Sequence, residues 1–220
     1  MELLFENWRG FLSEKLMLKP SPDGWDLYSE LVTEAYLAAP TFEERAVPAF
    51  EALVPFVEKM YKQIGSRVKV EPVDYHPYDI GLDVDVTGVD RMRKSVEDTG
   101  ILQVSTADSD HPVFDNETNM KFRAVHDYMT HIQPKKPAGF TSSKAKGSIH
   151  QELRAYNIHA KTVPRNGIPA LFTEVVGQVC TFYVTGKFAE QKVCLLDGFD
   201  YFNIGAVEGY DIVNKELVKL

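Results

Sequence analysis

Apolar positions along this chain repeat mostly at helical spacing. Leu4, Phe5, Trp8, Phe11, Leu12 and Leu16 form one stripe, which KPSPDG interrupts, so an amphipathic helix over residues 1–20 is expected to dock on the rest of its own domain. DLYSELVTEAYLAAP and FEERAVPAFEALVPFVEKMYKQIG predict two or three further helices, with Thr41 and Glu44 spaced as a capping pair and Pro48 and Pro55 as sites of a break or kink. Between Arg67 and Val104 the period shortens: VKVEPVDYHPYD, LDVDV and ILQVST read as short strands around a helix at Val89 to Asp98.

A polar loop, STADSDHPVFDNETN, then offers Asp115 or Asn116 as the cap of a helix whose buried stripe is Phe122, Val125, Met129 and Ile132. The segment from Gln133 to Ser148, rich in Lys, Gly and Ser, is expected to be a mobile lid, and IHQELRAYNIHAK follows it as a helix. Pro169 suits the first turn of PALFTEVVGQVCTFYVTG, apolar nearly all round and therefore central. After Phe188, glycines at 198, 205 and 209 punctuate short strands and turns. The fold class is thus α+β, one mostly helical domain over 1–220 with a small antiparallel sheet or ribbon and a site-bearing core at about 70–200.

Composition narrows the function. The chain has 220 residues, 44% hydrophobic, with 24 basic against 32 acidic side chains and a net charge of −8, and no basic run suited to a phosphate backbone. Direct nucleic-acid binding is not expected. No uninterrupted apolar run approaches the roughly 20 residues of a bilayer span, and the charged start MELLFENWRGFLSEKL is unlike a signal peptide, so a cytosolic protein without membrane contact is expected. Cys180 and Cys194 sit in apolar surroundings and read as buried free thiols.

Five of the six histidines lie between His111 and His159. His76, His111 and His150 read as satisfied core or surface residues. The pair His126 and His131 differs. Five residues apart, they would point about 140° away from each other on an ideal α-helix. Pro134 biases Gln133 against helical geometry, so the helix should end around Thr130 to Ile132 and let His131 swing towards His126. Two imidazoles need a third ligand, and Glu174 is the candidate because its helix faces it inward. A salt bridge from Glu174 to Arg123 or Arg154 is the competing reading. Glu152 and His159, seven apart and on one helical face, could complete the site or support its ligands.

FRAVHDYMTH, the Glu152 to His159 segment and ALFTEVVGQ together resemble an uncharacterised domain of tailed-bacteriophage proteins; with VDYHPYD and DTGILQVST the resemblance spans roughly residues 70 to 180. It implies a phage protein, working in the cytoplasm of the infected host or in the virion. His126-Asp-Tyr-Met-Thr-His131 followed by Leu-Phe-Thr-Glu174 is also similar to the HELLGH and FTVEFG segments of the aromatic amino acid hydroxylases. That similarity implies His126, His131 and Glu174 as a two-histidine, one-carboxylate site for Fe(II), open to oxygen and substrate. The expected function is therefore a non-haem Fe(II) oxygenase-like enzyme acting on a small molecule, with His159 and Gln178 behind the ligands. The alternatives are a zinc hydrolase with Glu152 or Asp127 as base, and a virion or accessory protein with a structural metal. A homo-oligomer is compatible with all three.

Overall fold

A computed structural model describes residues 15–18, 22–78, 87–107, 110–135, 138, 149–187, 189–213 and 216–219. Most of the expected N-terminal helix, the expected LDVDV strand and most of the expected lid lie outside the described residues; the end of that helix that is described, Leu16 and Met17, is a strand paired with Ala206 and Val207 and not helical, because its backbone finds a partner across the chain.

The chain is α+β and mostly helical. Helix α1 (Pro22–Ala38) buries Tyr28, Leu31, Val32 and Tyr36, a stripe spaced for one face. Helix α2 (Val47–Gly65) buries Phe50, Leu53, Phe56, Val57 and Ile64. Pro48 stands in its first turn, where a missing N–H costs nothing, and Pro55 is carried inside it. The expected Thr41 cap is not formed: Glu43 occupies the position before the leading 3-10 turn, and the Thr41 hydroxyl donates instead to Glu190 Oε2 at 3.2 Å.

Strand β2 (Lys69–Val73), helix α3 (Thr87–Thr99) and strand β3 (Ile101–Ser105) form a β-α-β unit, so this pair is parallel, with Lys69 opposite Ile101 and Val73 opposite Ser105. A helical crossover is what parallel neighbours require. Gly100, at φ 70°, makes the left-handed turn that closes α3 and starts β3. The antiparallel pairs are β1 (Leu16–Met17) with β4 (Ala206–Val207), and β5 (Tyr210–Val213) with β6 (Glu216–Lys219). These confirm the strands expected in the tail.

Three further helices carry the chemistry: α4 (Asn116–Asp127), extended by a π-helical turn (Tyr128–Ile132); α5 (Ile149–Ala160); and α6 (Ile168–Leu171), which runs through a second π segment (Phe172–Gly177) into α7 (Gln178–Thr185). Helix α5 packs against both π segments, α2 packs along α4, and α1 packs along α7. By length and composition the continuous helical stretch Arg165–Thr185 is apolar enough to cross a membrane, which corrects the expectation that none is; in this fold most of it is buried. Cys180 and Cys194 are buried and free, and burial pushes both thiols up, to about 12 and about 11.

Gly177 ends the second π segment against Tyr36. A β-carbon there would lie 2.5 Å from Tyr36 Cδ2. Tyr36 is fully buried and its hydroxyl is tied to the Glu190 carbonyl, so it has nowhere to retreat. Gly177→Ala should therefore cost about 1–3 kcal/mol in urea denaturation, as overpacking does; an unchanged midpoint would mean the helices separate freely.

Candidate metal centre

The Asp115 side chain accepts from Thr118 N–H at 2.7 Å, starting α4 as its sequence suggests. Phe122 and Val125 face the core, which leaves His126 on the last α-helical turn, half-buried. Beyond it the ladder changes: Gln133 N–H donates to the Tyr128 carbonyl, five residues back, at 2.8 Å. A π turn closes its hydrogen bonds over five residues where an α turn closes them over four, so each turn takes up more residues and position 131 swings round towards position 126. Their ring centroids are 5.4 Å apart and the rings stand edge to face at 72°.

The helix does end at Ile132, yet the cause differs from the expected one. Gln133 keeps right-handed helical angles, φ −64° and ψ −39°, despite the proline that follows. The wider turn, not an unwinding at Gln133, turns His131 towards His126. Arg93 closes the end, its Nη1 lying 3.3–3.4 Å from the carbonyls of His131, Ile132 and Pro134.

Hydrogen bonds settle which ring atoms face inward. His131 is 1% exposed, and its Nδ1 lies 3.0 Å from the Ala138 carbonyl. A carbonyl can only accept, so Nδ1 carries a proton, and in the neutral tautomer the lone pair is the one on Nε2. That Nε2 lies 3.9 Å from Glu152 Oε2, and His126 Nε2 lies 3.9 Å from the same oxygen. One ligand atom from each of His126, His131 and Glu152 falls within 4.8 Å of the others, close enough to hold a metal ion. Ligands about 2.0–2.2 Å from a shared ion would sit closer together than this, so the group would tighten on binding.

His159, one α5 face along from Glu152, is fully buried behind this group, with its Nδ1 3.3 Å from His126 Nδ1. Its ring packs between Phe56 and Phe122, at centroid distances of 6.0 and 5.9 Å. Burial first, and the neighbouring His126 second, hold its pKa well below the usual range, so the ring is neutral. A neutral His159 can accept the Nδ1 proton of His126, which leaves the His126 Nε2 lone pair facing Glu152.

The carboxylate that joins the two imidazoles is Glu152, where the sequence pointed to Glu174. Glu174 is buried as expected, but it is held by His111 Nε2 at 3.2 Å and Gln178 Nε2 at 3.0 Å, with neither Arg123 nor Arg154 as its ion-pair partner. Gln178 thus supports Glu174. His111 was not singled out by its sequence, and no short-range signal could have done so, because it meets Glu174 across 63 residues of chain. Glu152 was legible only as sharing a helical face with His159, seven residues on, a face that reads equally as solvated.

A cavity of about 230 Å³ opens beside the centre, between α4 and the second π segment with α7. His126, Asp127 and Arg123 line one wall; Glu174, Val175 and Gln178 line another. Burial raises the Asp127 pKa, against the pull of His131 and His126. No protein-family model, curated protein or solved structure matches this chain.

Proposed function

We propose that this protein is a mononuclear metal enzyme in which His126, His131 and Glu152 hold one divalent transition-metal ion and leave coordination positions open towards the adjoining cavity. The observation that carries the reading is the convergence of two imidazole nitrogens on one carboxylate oxygen, each at 3.9 Å, with the His131 tautomer fixed by the Ala138 carbonyl. Two imidazoles and one carboxylate form the ligand set that suits Fe(II) with vacant sites for oxygen and substrate, so we favour a non-haem Fe(II) oxygenase-like activity on a small molecule. Bound there, the ion would supply dioxygen activation or, as zinc, Lewis acidity.

The chain's own residues supply the rest. Ala138 and His159 orient the two rings, and the cavity walls shape the space in which a substrate would lie. Glu152, expected as a base, is better used as a ligand. Asp127 then remains as the side chain placed to accept or return a proton, which is also the role it would take in the zinc-hydrolase alternative.

Protein purified without oxygen or chelators should contain close to one metal ion per chain by elemental analysis. After metal removal, Fe(II) and Zn(II) should each restore one equivalent. Oxygen consumption by the Fe(II) form in the presence of candidate small molecules would favour the oxygenase; ester or amide hydrolysis by the Zn(II) form would favour the alternative. Failure to retain any divalent transition metal would end both.

A further inference from the structure

Glu174 poses a separate problem. Its side chain is 2% exposed, in a helical segment whose every residue is buried. Its two contacts are both received: His111 donates to Oε1 and Gln178 donates to Oε2. The direction of the first is fixed elsewhere, because His111 Nδ1 accepts the backbone N–H groups of Val113 at 3.1 Å and Phe114 at 2.8 Å. With Nδ1 unprotonated, the ring is neutral and its only proton sits on Nε2, pointing at the carboxylate. The same assignment removes His111 as a metal ligand, since its inward nitrogen has no lone pair to give.

Among the described residues the Glu174 carboxyl therefore receives two N–H groups, both from neutral donors. An ionised carboxylate offers about four acceptor positions, of which these contacts use two. Burying such a charge beside neutral groups costs several kcal/mol unless a cation balances it. Glu174 also lines the cavity, where among the described residues one guanidinium, Arg123, stands against two carboxyl groups, Asp127 and Glu174. Arg123 is turned to the backbone, its Nη1 donating to the carbonyls of Ser105 at 3.0 Å and Ala107 at 2.8 Å. On the helix that carries Glu174, Gln178 adds a polar group to the lining and Val175 and Val179 an aliphatic one.

We infer that the cavity is a binding site for a small organic cation, a primary ammonium or guanidinium on a short aliphatic stem, whose N–H groups take the remaining acceptor positions of Glu174. The two valines cover the stem. As a binding site this stands without the metal; as the subsite that anchors a substrate beside His126, it rests on the metal-enzyme reading above.

The test uses n-butylammonium and methylguanidinium as probes, with n-butanol and butyrate as controls of similar size, titrated calorimetrically into the full chain in the presence of a chelator. Both cations should bind at least tenfold more tightly than either control. Glu174→Gln keeps the shape and removes the charge, and should lose at least tenfold in cation affinity. Ala189→Leu narrows the cavity and keeps the Glu174 carboxyl, and should weaken cation binding to a similar extent, which separates the cavity from loose binding to the acidic surface. Circular dichroism melts establish that both variants fold; if one does not, the other still decides.

Equal affinity for butanol and butylammonium, tighter binding of butyrate, or cation affinity unchanged in a folded variant would overturn the inference. Because chelator is present throughout, a failed metal titration leaves this result untouched, and a failed cation titration leaves the metal centre standing.

Discussion

Glu152→Gln is expected to abolish stoichiometric metal uptake, whereas Glu174→Gln should leave one equivalent in place. Glu152 Oε2 is the point on which both imidazoles converge, and an amide in its position loses the charge that balances a divalent cation. Removing a group that merely supports a ligand typically costs 10–100-fold in metal affinity, so removing the ligand itself should cost more than about 100-fold. The loss should also appear in stability. Metal at about a thousand times its Kd stabilises a folded chain by about 4 kcal/mol, and in a chain of this size that raises Tm by roughly 8–16 °C. Wild type and Glu174→Gln should show that rise on adding Zn(II) or Fe(II), and Glu152→Gln should not. The opposite pattern would restore Glu174 as the ligand that the similarity to the hydroxylases implied.

Acid should unfold the metal-free protein early, through His159. Burial keeps this ring neutral in the fold, while in the unfolded chain it protonates near pH 6.5. The unfolded state therefore binds more protons once the pH falls below about 6.5. The stability that the neutral ring contributes is intact above that pH and is lost as pH falls towards the lowered folded value, by up to about 1.4 kcal/mol per pH unit. Asp127 works in the opposite sense. Its raised pKa lets the fold hold a proton that the unfolded chain has released, so stability falls as pH rises from about 3.9 through the folded value. Urea midpoints between pH 7.5 and 5.5 should fall steeply in the wild type, and the slope should be shallower by about one proton in His159→Gln. Identical slopes would mean that His159 is protonated in the fold, and its place as acceptor for His126 would go with it.

Much of the site was legible in the sequence. His126 and His131 stood out because two imidazoles at an interval of five in an apolar helix have no packing explanation, and Glu174 stood out as an acid on an otherwise apolar face. Both observations hold, but the link drawn between them does not follow from either. Local pattern measures how strongly a carboxylate is buried, not which partner meets it, and Glu174 found a neutral histidine from a loop 63 residues away. Glu152 gave the weaker signal, since a single acid on an amphipathic helix reads equally as solvated surface.

Several element types were set by sequence alone: periodicity marks α2, α4 and α5, the Asp115 cap starts α4, and β2 and β3 follow from their shortened period, whereas β1 stands where a helix was expected. The apolar content of the α6 to α7 stretch likewise made it central. What only the tertiary structure decided was the geometry of the turn after Asp127. Pro134 predicts that a helix stops, and it does, but whether the preceding turn unwinds or widens depends on what its carbonyls and side chains meet. Arg93 from α3 lies against the last carbonyls, the Ala138 carbonyl accepts from His131 Nδ1, and α5 brings Glu152 to within 3.9 Å of His131 Nε2. These partners stabilise a π turn that no local propensity favours, because a widened turn is held by contacts made across the chain rather than by the residues within it.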